Sequence, residues 1–279
     1  MLSLFKRYRL HRTSSHPTST FGFMTVCQRV KPMSLVEFEF AQQSLDVASD
    51  WLYQQQSTPK YADASHYVLD GQTQAKYQQA LNQSVALGVI PVAFANCHEI
   101  LLHSLPALTQ DGASVGMVHI GHGFELKQTL DLQVGSAFHF ALSRFAQAKL
   151  FCIGIDAEHS HAQTLEYAED LGCDWVSHEE CGFLNRTQLK AQLSGYIEHC
   201  EQLVINIDLA SLVPGNGLET HKKVLDNQVV LRVLRQMILS GKVRYIQLVG
   251  AKDKLIYSKQ AKEIVDELMN LAPHLVHAA

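Results

Sequence analysis

The chain has 279 residues, 47% hydrophobic and 18% charged, with a formal net charge of −4. That is enough chain to bury one large core, and the balance predicts neither nucleic acid nor an anionic membrane surface as a partner. No apolar run approaches the roughly 20 residues needed to span a bilayer.

Residues 1–33 read as a basic N-terminal extension. "MLSLFKRYRLHRTSSHPTST" carries Lys6, Arg7, Arg9 and Arg12, and no acid precedes Glu37. This composition fits disorder, a translation start at Met24 or Met33, or a targeting segment. The expected folded unit is a single domain over residues 34–279. From residue 80 onward, strand-like runs alternate with helical ones. The strands are "GVIPVAFA" (88–95), "VGMVHI" (115–120), "KLFCIGI" (149–155), "CDWVSH" (173–178), "QLVINIDLA" (202–210) and "VRYIQLVGA" (243–251). They are short and almost continuously apolar, as strands buried on both faces are. Helical spacing marks 160–171 behind a Ser160 cap, 226–240 before Gly241, and 258–271 from Ser258. The pattern predicts an α/β fold with a mainly parallel sheet and helices on both sides. Six scattered cysteines, several in apolar runs and none in a CxxC pair, read as reduced buried thiols of a cytoplasmic protein.

Ligands of such sheets bind beyond the carboxyl ends of the strands. The segments there are "ANCHE" (95–99), "GHGFELK" (121–127), "IDAEHSH" (155–161), "DLASLVPG" (208–215) and "GAKDK" (250–254). Gly121 and Gly123 are not followed by a third glycine, no P-loop lysine is present, and no Gly-x-Ser-x-Gly elbow occurs. His159 and His161 read as surface residues.

In that order, the strand ends resemble the ureohydrolase family (arginase, agmatinase, formimidoylglutamase), and formimidoylglutamase most closely, over about residues 78–270. "VAFANCHE" resembles the family's Gly-Gly-Gly-His-Glu strand end, and "VHIGHGFELK" its Ile-Asp-Ala-His-Phe-Asp-Leu-Arg. "VGSAFHFAL" (134–142) resembles its Ser-Gly-Thr-Pro-Phe-Arg-Gln, and "LVINIDLASL" its Leu-Ser-Ile-Asp-Leu-Asp-Val-Leu. The resemblance implies a three-layer α/β/α arginase-like fold, commonly oligomeric. It also implies two Mn²⁺ ions whose bridging hydroxide attacks a guanidino, amidino or formimino carbon.

Carried over position by position, the family's first histidine is His98. Its Asp-Ala-His-Phe-Asp element gives Gly121, Gly123 and Glu125 at the ligand positions, and its Asp-Leu-Asp element gives Asp208 and Ala210. The acid near the last strand aligns with Gly250. Gly121, Gly123 and Ala210 carry no donor atoms, so a dimetal centre is not expected. His98, Glu125 and Asp208 would, by the resemblance, have served the same one of the two metals. They form the candidate residual site for at most one divalent metal, Mn or Zn, with His119, His122 or Cys97 as an extra donor. The family's opening βα units, which wall the active site, find no counterpart in residues 34–77, so an altered sheet edge is expected.

The favoured function is that of an inactive homologue acting by ligand or partner binding, the partner being a second copy or an active paralogue. The alternative is a metal-dependent hydrolase of a linear C–N bond using the residual single-metal site.

Overall fold

Eight short apolar runs assemble into one sheet, every pairing in it parallel. The computed structural model describes residues 21–55, 65–70, 73–109, 112–214 and 223–276. The strands are β1 (Phe21–Gln28), β2 (Ser65–Leu69), β3 (Ile90–Ala95), β4 (Val115–Ile120), β5 (Ala148–Ile155), β6 (Asp174–Ser177), β7 (Gln202–Asp208) and β8 (Val243–Val249). Their order across the sheet is β2-β1-β3-β8-β7-β4-β5-β6. The helices are α1 (Leu35–Gln55), α2 (Gln74–Ala86), α3 (Leu105–Leu108), α4 (Ala137–Arg144), α5 (Ala162–Asp170), α6 (Arg186–Glu198), α7 (Asn227–Leu239) and α8 (Lys259–Val276).

Strand alternation divides the core in two. In β4, Val118 and Ile120 join one cluster with α1, α6, α7 and α8, while Val115 and Met117 join the other with α2, α3, α4 and α5. The α/β fold is therefore three-layered, as expected. All six cysteines are free and buried. Among the described residues, no helix is long and apolar enough to cross a membrane.

The N-terminal expectation needs correction. Residues 21–28, read as part of a basic extension, form β1, a strand buried along nearly its whole length between β2 and β3. "FGFMTVCQ" is as continuously apolar as the other strands, and the Ser/Thr and Arg residues before it do not bear on its burial. Met24 lies inside this strand and Met33 beyond it, so neither marks the edge of the folded unit; residues 1–20 lie outside the described residues. The stretch read as lacking a βα unit supplies α1, whose Leu45, Ala48 and Leu52 are fully buried, and β2, the sheet edge itself. A smaller correction concerns α5: Ser160 donates to the Asp156 carbonyl (2.7 Å), and His161 holds the cap position.

The chain order reverses where β3 meets β8 and β7 meets β4. His98 follows β3, Gly121 follows β4 and Asp208 ends β7, so these residues meet at the switch point where open α/β sheets bind ligands.

Candidate functional site

Three polar side chains interrupt otherwise apolar strands in the same lateral row. His119 of β4 pairs in register with Asn206 of β7, and Asn206 with Gln247 of β8. All three are essentially inaccessible to solvent. Buried polar groups need partners, and these supply one another's. The Gln247 amide nitrogen donates to Asn206 Oδ1 (3.0 Å) and to the His98 carbonyl (3.2 Å). The Asn206 amide nitrogen donates to Nδ1 of His98 (2.8 Å) and to Nδ1 of His119 (2.9 Å). Tyr245 donates to Gln247 Oε1 (3.1 Å), and its hydroxyl meets that of Tyr77 at 3.0 Å.

The pattern assigns the tautomers. His119 donates from Nε2 to the Gly123 carbonyl (2.8 Å), so its Nδ1 is free to accept from Asn206. Burial, reinforced by repulsion from His98, drives the His119 pKa down to about 3, and the imidazole is neutral. His98 accepts at Nδ1 and carries its proton on Nε2. Burial alone would depress its pKa, but the carboxylates of Glu125, Asp208 and Glu99 outweigh burial and hold it above the ordinary value.

Around this row the loops are tied by carboxylates. Glu99 is fully buried and accepts from the backbone N–H of Gly135 (2.8 Å) and Ser136 (3.1 Å). Burial raises its pKa. Asp208 caps the turn after β7, accepting from Ala210 N–H (2.9 Å) and from the Ser211 hydroxyl (2.7 Å). Ser211 in turn accepts from the His122 N–H (3.0 Å). Glu125 sits at φ 51°, a left-handed conformation unusual for a residue with a side chain. It is held there because Phe138 N–H donates to its carbonyl (3.1 Å) and Lys127 N–H to that of Gly135 (2.8 Å).

A curated formimidoylglutamase of Psychrobacter cryohalolentis is 24% identical over 193 residues, 62% of this chain and 56% of that protein. The chain thus spans little more than half the length of the curated relative it matches. Among solved structures, formimidoylglutamase from Bacillus subtilis superposes with a TM-score of 0.65 at 12% identity, covering 94% of this chain and 89% of that one. Helicobacter pylori arginase gives 0.64 at 9% identity, covering 89% and 99%. Agmatine ureohydrolase of Thermoplasma volcanium gives 0.62 at 12%, covering 94% of both chains. No family model matches the chain. The chain has the arginase-like α/β fold, and its sequence is similar to that of a formimidoylglutamase.

The room at the glycines of the strand-end cleft is uneven. At Gly121 an added Cβ would lie 2.7 Å from His119 Nε2, 2.8 Å from its Cε1 and 3.2 Å from the Asp208 Cβ. The His119 ring therefore fills the room of any side chain at 121. Gly123 differs: a Cβ there meets only Glu125 Oε1, at 3.3 Å. At Gly250 a Cβ would strike Leu209 Cβ at 2.9 Å and Leu255 Cβ at 3.0 Å, so an acid has no room at this position either.

Of the proposed donors, the structure brings His119 beside His98, their rings 5.4 Å apart and perpendicular. Both Nδ1 atoms are engaged by Asn206. The other two extra donors turn away. The Cys97 thiol faces the Gln28 carbonyl (3.9 Å), and burial raises its pKa well above the ordinary value, so it stays protonated. The His122 ring packs toward His178, 5.8 Å away. Among the described residues, no three His, Cys, Asp or Glu side chains converge on a point where a metal ion would sit. His98, Glu125 and Asp208 do not converge in this way as arranged, and each Asp208 oxygen already accepts one hydrogen bond, from Ala210 and from Ser211.

Asn206, Gln247, Tyr245 and Tyr77 were missed by sequence reasoning. Their signal was available for two of them: a lone amide in "LVINIDL" and another in "RYIQLVG", where a strand buried on both faces otherwise carries apolar residues.

Proposed function

We propose that this protein is a catalytically inactive ureohydrolase homologue that acts by binding a ligand or a protein partner, the partner being a second copy of the chain or an active paralogue. The observation that carries this reading is the His119 imidazole, which stands where the side chain of residue 121 would have to be. Loss of a ligand alone leaves a vacancy that water or a neighbour can fill. A neutral ring built into the vacancy, bonded on both nitrogens, requires one further substitution to be undone first. Gly121, Gly123 and Ala210 offer no donor atoms, and two metals held close together depend on shared carboxylates. The buried free thiols suit a reducing compartment and support a cytoplasmic location.

A second reading keeps one observation in its favour: Glu125 and Asp208 lie near enough to His98 to raise its pKa. On that reading a small rearrangement frees the two carboxylates, and one Mn²⁺ or Zn²⁺ held by His98, Glu125 and Asp208 activates water against a linear C–N bond.

Elemental analysis after loading with Mn²⁺, Zn²⁺ and Fe²⁺, with assays on formiminoglutamate, agmatine and arginine, separates the two. The expected result is substoichiometric metal and no hydrolysis above a protein-free control. Stoichiometric metal, or hydrolysis, that disappears in His98→Ala establishes the second reading and ends the first.

A further inference from the structure

A cavity of about 720 Å³ lies away from the strand ends, between α6 and α7 on the outer helical layer. Its floor is apolar, formed by Cys181, Leu189, Val229 and Val233, all nearly inaccessible to solvent. Its rim is cationic, with Arg186, Lys190, Arg232 and Arg235. Arg235 is neutralised by Glu267 at 2.7 Å. Among the described residues, no carboxylate lies within ion-pair reach of Arg186, Lys190 or Arg232. This cationic cluster stands on a chain of net charge −4.

Two features make the cluster more than a solvated face. The guanidinium groups of Arg186 and Arg232 share the ring of Phe183, at 4.1 and 5.8 Å from its centroid. Two like charges are thereby gathered on one aromatic, an arrangement that a bound anion relieves. Phe183 is 61% exposed, and Leu239, which lines the cavity, is 55% exposed. Large apolar side chains are thus left in water beside uncompensated positive charge.

We propose that the α6–α7 cavity binds a single-chain amphiphile with an anionic head, a medium-chain fatty carboxylate or alkyl phosphate. The alkyl chain lies along α7 over Val229 and Val233 toward Leu239, and the head meets Arg186, Lys190 and Arg232. Charge and lining select this occupant. The α7 stripe from Val229 to Ser240 is about 16 Å long, and a cavity of about 720 Å³ with an apolar floor and cations confined to its rim suits one alkyl chain ending in an anionic head. The site is independent of the strand-end cleft and of its state of activity.

The test is isothermal titration of the full-length protein with dodecanoate below its micelle-forming concentration, beside dodecyl phosphate, dodecanol and dodecyltrimethylammonium. One molecule of dodecanoate per chain is expected, with dodecanol roughly tenfold or more weaker and no saturable binding of the cationic amphiphile. Dodecyl phosphate tighter than dodecanoate identifies a phosphate head as the preferred form; the reverse identifies a carboxylate. Two exposed-surface variants check the place: Arg186→Gln/Lys190→Gln/Arg232→Gln removes the head contacts, and Leu239→Trp blocks the mouth. Each is expected to weaken dodecanoate by about tenfold or more while leaving the thermal midpoint within about 2 °C of the parent. Should the triple variant fail to fold, Leu239→Trp and the single variant Lys190→Gln carry the test. Equal binding of the anionic and cationic amphiphiles, unchanged affinity in the variants, or no saturable binding overturns the proposal.

Discussion

The two sides of the strand-end cleft are packed differently. On the His98 side, His119, Asn206 and Gln247 form a closed row joined by side-chain hydrogen bonds through Asn206. On the Glu125 side, Gly123 has open space before it apart from one carboxylate oxygen. One side is packed as core and the other is open. Lacking a donor atom and lacking the room for one are separate conditions, and a single substitution changes only the first.

The strongest way to break this comparison is to cut the row at its centre. Asn206→Leu keeps the shape and removes both donors and the acceptor, stranding Nδ1 of His98, Nδ1 of His119 and one N–H of the Gln247 amide. With about 1–3 kcal/mol for each buried group left unpaired, a loss of roughly 4 kcal/mol is expected, or about 10 °C in thermal midpoint. A loss below about 1 kcal/mol in urea unfolding means the row is not structural.

Next in size is the contact at residue 121. Gly121→Ala drives its Cβ into His119 and is expected to cost about 2 kcal/mol. Gly123→Ala, whose Cβ meets only a movable carboxylate, should stay within about 0.5 kcal/mol of the parent. In the background of His119→Ala, the cost of Gly121→Ala should fall by about 1 kcal/mol or more. Additive costs in that double-mutant cycle mean that His119 does not occupy the space.

The smallest effect is in acid. The His119 pKa falls from 6.5 in the unfolded chain to about 3 in the fold. The unfolded state therefore binds the extra proton between those values, and stability present above pH 6.5 is lost as pH falls toward 3. His98, raised rather than lowered, acts oppositely: its contribution is present below 6.5 and lost as pH rises through its folded value. Urea unfolding should show a net loss on the order of 1 kcal/mol from pH 7.5 to 5.5. His119→Asn should reduce the loss, the remainder belonging to His66 and His103, whose pKa values burial also lowers. An unchanged pH dependence in the variant places the titrating group elsewhere.

Much of the fold was legible because burial on both faces leaves a local mark. The "VGMVHI" run predicted β4 to the residue, and the stripe Val230, Val233, Leu234, Met237 and Ile238 predicted the buried face of α7. The mark failed at β1, where an apolar strand follows a basic stretch and the composition of the larger window outweighed it. In the candidate site, Asp208 as a turn cap was readable, since an aspartate at a strand end commonly accepts from the following backbone. The side chains that meet His98 were not. Asn206 is 108 residues away, and nothing local tells an amide satisfied by two histidines from an error in the pattern.

The sequence by itself determined the alternation of strands and helices, the family resemblance and the missing donor atoms at Gly121, Gly123 and Ala210, because each is a property of residue type and spacing. Only the tertiary structure decided that the space at Gly121 is filled and the space at Gly123 is open. It also decided that Cys97 and His122 face away from His98, and that two arginines gather on Phe183. Those outcomes depend on which side chains from distant strands and helices arrive at one place, and volume in a packed interior belongs to whichever of them arrives.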